Sequence, residues 1–200
     1  MWERTIEHLT LTGIAVAFGF LLSVGLSLVA LRWRVTYKPI TWLSGVLYTI
    51  PSLGLFAFLV PFTGPSLLTA QIGLVIYTLL ILVRNIVTGI DGVPADVVEA
   101  ARGMGYERRE LLWQIEVPLA LPVIIAGVRI ATVTTIGLVT ITSLIGQGGY
   151  GVFIERGISR RFLTEILVGT VLSVLLAVLL DYLLVRVGER VAPWSRKVAV

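Results

Sequence analysis

The sequence has no cysteine, one histidine, and charged side chains at only 14% of its 200 positions. Without cysteine, disulfides, thiolate chemistry and cysteine-based metal sites are excluded. His8 has no second histidine with which to pair on a metal, and it is expected at a surface or membrane interface. The scarcity of charge says more. Soluble domains are charged at roughly a quarter of positions, whereas here 56% of residues are hydrophobic and mean hydropathy is +0.95. Such a chain belongs in lipid.

What is present is apolar sequence in long runs. A transmembrane helix needs about 20 apolar residues, and five stretches qualify: 9–31, 40–62, 67–90, 119–145 and 163–185. The fold expected is an all-α membrane protein of about five spans, with 1–200 forming one transmembrane domain. The N-terminal run is too long, and its flank too mixed in charge (Glu3, Arg4, Glu7), for a cleaved signal peptide.

The net charge of +4 rests on fourteen arginines and two lysines. A pI near 9.8 in a soluble chain would suggest nucleic acid, but these residues flank apolar runs, so no nucleic-acid partner is expected. Counting Lys and Arg by loop predicts orientation. Ten lie on one side (Arg32, Arg34, Lys38, Arg102, Arg108, Arg109, Arg186, Arg190, Arg196, Lys197) and four on the other (Arg4, Arg156, Arg160, Arg161). The richer side is expected in the cytoplasm, together with the C-terminus and the 91–118 loop, and the N-terminus outside.

That loop is a polar island between two runs long enough to cross a bilayer. Asp91 is positioned to cap a helix and Pro94 to occupy its first turn. The helix is expected to run to about Arg102, where Gly103 and Gly105 stop and turn it. Leu111, Leu112 and Ile115 then share one face of a return helix, and Pro118 and Pro122 mark the start of the fourth span. Small side chains at Ala100 and Ala101 permit close approach of a partner. Glu99 offers it a charge, Gly105 permits the reversal, and Arg102, Arg108 and Arg109 supply rim charges that set register. These are features of a docking element.

The spacing Glu99, Ala100, Ala101, then Gly105, Ile115 and Pro118 resembles the EAA signature Glu-Ala-Ala-x3-Gly-x9-Ile-x-Leu-Pro of permease subunits in prokaryotic ABC importers, with Val117 in place of the leucine. Further segments are similar to permeases of osmoprotectant importers: Ile50 to Leu53, Val83 to Asn85, Pro118 to Ile124, Ala126 to Arg129 and Leu144 to Gly151. The similarity spans about 40–185. It implies a type I importer fold in a prokaryotic cell membrane, moving glycine betaine, carnitine or choline by alternating access. It also implies cytoplasmic ATPase subunits that hold the ATP and Mg, a second permease subunit (the same chain or a paralogue), and an extracytoplasmic solute-binding protein. On that reading Glu99, Ala100, Ala101, Arg102, Gly103 and Gly105 couple the chain to the ATPase. The substrate cage, using cation–π contacts, belongs to the binding protein. Permeases for methionine and other small solutes share the loop.

No cofactor or metal is expected in this chain. A P-loop needs Gly-x4-Gly-Lys-Ser/Thr, and Lys38 and Lys197 precede Pro39 and Val198. Gly146 to Gly151 reads Gly-x-Gly-x-x-Gly, but it follows an apolar helix instead of a strand and is expected to be a flexible glycine turn. Polar groups inside spans are functional candidates because lipid penalises them. Tyr48, Pro51, Ser52 and Arg129 are therefore candidates for the translocation pathway, Pro51 because it bends the second span. Arg84, Asn85, Glu165 and Asp181 lie nearer span ends, where snorkelling accounts for them. An ion-coupled carrier would show internal repeats and acidic residues near the midplane, and an intramembrane enzyme a nucleophile, dyad or metal set. The sequence offers neither.

Overall fold

The computed structural model describes residues 1–194, so Arg196, Lys197 and Val198 lie outside the described residues. Among these residues every regular element is a helix. The first helix, α1 (Trp2–Arg32), leads through a 3-10 turn into α2 (Tyr37–Thr49), followed by α3 (Ser52–Thr63) and α4 (Leu67–Asp91). A short α5 (Ala95–Gly103) and a tight turn lead to α6 (Arg108–Glu110). From there a π-helical segment, Leu111–Glu116, runs without a break into α7 (Val117–Val139). A 3-10 turn at Ile141–Ile145 and a glycine-rich link lead to α8 (Gly151–Arg160) and α9 (Leu163–Val191).

Four of these helical stretches are long and apolar enough to cross a membrane: Trp2–Arg32, Leu67–Asp91, Arg108–Val139 and Leu163–Val191. The second apolar run is different. It breaks after Thr49, and the two pieces meet at 95°. The cause is local: a residue before proline is driven out of the helical region, and Ile50 accordingly takes φ −63°, ψ 128°. The bend expected at Pro51 is there, as a sharp corner between two helices.

The fourth span also departs from expectation. It begins at Arg108 instead of Leu119 and its α-helix ends at Val139. Pro118 and Pro122 do not mark its start but lie within it. Pro118 cannot donate to the carbonyl four residues back, and the wide π turn just before it accommodates the mismatch.

α4 is the central helix, packing on α1, α2, α3 and α7, while α9 lies outside on α7 and α8. One apolar cluster joins Ala30 and Leu31 to Val83, Ile86, Val87 and Ile90 and to Ala120 and Ile124. A second joins Leu11 and Ala15 to Phe56, Ala70, Leu74 and Val139. α1 and α4 thus run side by side in the same direction and α7 runs back, which places the start of α1 and the α5 hairpin at opposite ends of the bundle. Where α1 crosses α4, a Cβ on Gly19 would lie 1.9 Å from Thr78 Oγ1, so only glycine allows the approach.

Two expectations fail at the end of the bundle away from α5. His8 is not at a surface; it is fully buried. Its Nε2 lies 3.1 Å from the Ile136 carbonyl, and its Nδ1 accepts from the Tyr150 N–H at 3.2 Å. A ring that accepts at Nδ1 and donates at Nε2 is a neutral imidazole. Nor is the Gly146–Gly151 link a flexible turn. Glu7 Oε2 accepts the Gly149 N–H at 2.9 Å while pairing with Arg4 at 2.7 Å, and the Tyr150 hydroxyl meets Thr5 Oγ1 at 2.9 Å. Gly149, at φ +84°, presents the amides that make these bonds.

Candidate functional site

The polar loop folds as a hairpin. α5 starts just after Pro94, whose fixed φ suits a helix start and whose missing N–H costs nothing there. Asp91 is not its cap; it closes α4 and holds Arg34 in a two-pronged ion pair (Nη2–Oδ1 2.6 Å, Nη1–Oδ2 2.9 Å). The helix ends at Gly103, which stays helical, and the reversal falls on Gly105 alone, at φ +90°. The Tyr106 N–H reaches back to the Ala101 carbonyl (3.2 Å) and the Gly105 N–H to the Arg102 carbonyl (3.0 Å). That pair of bonds is a Schellman motif, and it requires the left-handed residue that glycine supplies. The return helix opens on a capping box between Glu107 and Glu110.

Only Ala101 of the hairpin's signature residues is buried, turned toward the body of the protein. Glu99, Ala100, Arg102, Gly103 and Gly105 are exposed. Val97 and Met104, 37% and 70% exposed, bracket Ala100 at helical spacing and form an apolar stripe on α5. Sequence reasoning missed these two. Their signal was an apolar 97/100/104 spacing that had no place in a span. On the return helix Leu111 is buried, and Leu112 and Ile115 are partly so. The Arg108 guanidinium donates to the Leu31 carbonyl at 3.1 Å, tying the hairpin to the end of α1.

The pathway candidates separate into two groups on different helix pairs. Tyr48 closes α2 with its ring edge-on to Tyr77 of α4 (5.8 Å between centroids, 71°). The Tyr77 hydroxyl donates to the Ile50 carbonyl, which the corner at Pro51 and Ser52 deprives of a helical partner. Arg129 belongs to the α7–α9 pair and does not join this group. Its guanidinium grips Asp181 through two bonds of 2.8 and 2.9 Å. Asp181 is therefore no snorkelling end-residue. The pair, about one-third exposed on each side chain, lines an otherwise largely apolar cleft of about 520 Å³ between Ala126, Ile130, Ala177 and Val178. Asn85, whose Nδ2 donates to the Ile81 carbonyl at 2.8 Å, fills the space over Gly127. Among the described residues no three His, Cys, Asp or Glu side chains come together as a metal site.

The site is thus an exposed helical hairpin between two long apolar helices, closed by the glycine of the signature. A family model described as "Binding-protein-dependent transport system inner membrane component" covers residues 9–197. The chain belongs to that family. It is a multi-pass membrane permease, a transport subunit of an ABC importer and not an enzyme. The permease is 36% identical over 190 residues to the choline transport system permease protein OpuBB of Bacillus subtilis (strain 168), covering 95% of this chain and 88% of the relative. It is 35% identical over 194 residues to the osmoprotectant import permease protein OsmW of Salmonella typhimurium, covering 94% and 90%. Among solved structures, an inward-facing conformation of the MetNI methionine ABC transporter superposes with TM-score 0.82 at 22% identity, covering 96% of the permease and 97% of that chain. At that identity the likeness establishes the fold, which is the type I importer transmembrane fold.

Proposed function

We propose that this permease imports quaternary ammonium osmoprotectants of the glycine betaine, carnitine and choline type, with α5 as its contact to the ATPase. The observation that carries the coupling half is the α5 hairpin. It is short, exposed and fixed at Gly105, and it is joined to α4 by a brief link and to α7 through one continuous helix. A force on α5 therefore acts on two long helices at once. Glu99, Ala100, Arg102, Gly103 and Gly105, with Val97 and Met104, form the docking face, and Ala101 anchors it. The solute class rests on the choline and osmoprotectant permeases to which the chain is similar.

In this reading α5 faces the cytoplasm of a prokaryotic cell and the start of α1 lies outside. Two cytoplasmic ATPases bind ATP and Mg, a second permease subunit completes the pathway, and an extracytoplasmic binding protein delivers solute. ATP binding closes the ATPases and carries the hairpins with them, so that the spans rock outward; hydrolysis resets them. Tyr48, Pro51 and Ser52 at the helix corner, and Arg129 opposite Asp181, belong to the moving pathway.

The test is uptake of radiolabelled glycine betaine into proteoliposomes holding the permease with its ATPase and binding protein. ATP-dependent uptake that vanishes in Gly105→Trp, with ATP hydrolysis continuing, supports both halves. Transport of methionine in place of glycine betaine discards the solute class. Uptake without the ATPase overturns the mechanism.

A further inference from the structure

We propose that the permease holds the headgroup of an anionic phospholipid in the cleft between its coupling hairpin and the end of α1. The cleft measures about 660 Å³, and its charged wall carries Arg32, Arg34, Arg102 and Arg108. These come from three segments: the end of α1 and its connector, then, about seventy residues on, α5 and the start of the return helix that follows it. Arg34 is matched by Asp91, and Glu116 is the single carboxylate lining the cleft, so an excess of two positive charges remains. Arg32 and Arg102 make no salt bridge or side-chain hydrogen bond among the described residues, and Arg108 commits one N–H to the Leu31 carbonyl. Guanidinium groups are planar forks suited to the oxygens of a phosphate.

Much of the remaining lining is apolar. Leu28, Leu31, Ile90 and Leu111 belong to it, and Leu28 lies one turn deeper along the α1 span than Arg32. A soluble anion has no use for such a lining, whereas an amphiphile whose phosphate meets the arginines lays its glycerol and first methylenes on the leucines. The depth is right for lipid too. Trp33 is 57% exposed beside Arg32, whose guanidinium stands 5.9 Å over its ring, and tryptophan marks the membrane–water boundary. Basic pockets between spans at that boundary suit anionic headgroups. A headgroup here bridges Arg32, fixed on a span, to Arg102, which moves with the hairpin, so membrane charge and hairpin position become linked.

The experiment uses the full-length permease in detergent, titrated with phosphatidylglycerol or phosphatidylcholine, with bound lipid counted by native mass spectrometry. One tightly bound phosphatidylglycerol per chain is expected, and no comparable phosphatidylcholine. Arg32→Gln with Arg102→Gln weakens binding roughly 30-fold, from the usual contribution of each basic residue. Arg190→Gln, outside the cleft, leaves it unchanged, and Arg32→Lys with Arg102→Lys retains most of it, which separates lost charge from lost fold. Equal binding of the two lipids overturns the proposal. Displacement by millimolar inorganic phosphate reassigns the cleft to a free anion, and displacement by the added ATPase subunit reassigns it to an acidic protein surface; either result overturns it.

Discussion

Arg129 and Asp181 face each other across α7 and α9 in a two-pronged ion pair, 52 residues apart in sequence. In lipid each charge alone is costly, and together they neutralise one another. Removing one partner strands the other, so Arg129→Met or Asp181→Leu alone is expected to lower the thermal midpoint of the purified permease sharply. The double variant recovers most of the loss, because an apolar pair of similar volume needs no counter-charge. Additive losses in a thermal-unfolding cycle would show that the two residues act separately.

Gly105 closes the hairpin in a conformation that costs an L-residue about 1–2 kcal/mol. Gly105→Ala should therefore destabilise the loop by about that amount, while Gly105→Asn, which tolerates the left-handed region better, loses less. Proteolytic cleavage rates within 103–107 measure the local opening. Equal rates for wild type and Gly105→Ala would contradict the Schellman assignment.

His8 connects two backbone groups 128 and 142 residues away in sequence. Replacing it by leucine leaves the Ile136 carbonyl and the Tyr150 N–H buried without partners, at about 1–3 kcal/mol each. Glutamine presents both an acceptor and a donor and should cost less. The order wild type, His8→Gln, His8→Leu in thermal midpoint is the expected result, and the reverse order of the two variants would refute the hub.

At the corner of the second run, Tyr77→Phe keeps the ring against Tyr48 but frees the Ile50 carbonyl. The expected loss is about 1 kcal/mol. Tyr77→Leu also removes the edge-on ring contact, adding about 0.5–1.5 kcal/mol. Chemical denaturation of the wild type and the two variants separates the contributions; a Tyr77→Phe midpoint equal to that of the wild type would mean the hydroxyl bond carries nothing, and equal midpoints for the two variants would mean the ring contact carries nothing.

Much of this protein was legible in its residues. Apolar run length marks the helices that can cross a bilayer, because the thickness of lipid leaves few alternatives. The corner at Pro51 and the reversal at Gly105 follow from backbone sterics within four or five consecutive residues. The extended Glu99 to Pro118 spacing carries the resemblance to the family to which the chain belongs. Other local signals misled. Asp91 and Gly103 have the composition of a cap and a turn, yet one is drawn into an ion pair with Arg34 and the other stays helical. Val97 and Met104 were overlooked because two exposed apolar residues have no signature until a helix places them on one stripe.

Order along the chain therefore determined the helices, their breaks and the hairpin, since each depends on neighbours a few residues away. Only the tertiary structure decided that His8 is buried, that Arg129 meets Asp181, and that four arginines from separate segments share one cleft. Those pairings depend on which faces of α1, α4, α7 and α9 meet, a choice made by side-chain fit such as Gly19 against Thr78. No local pattern records it.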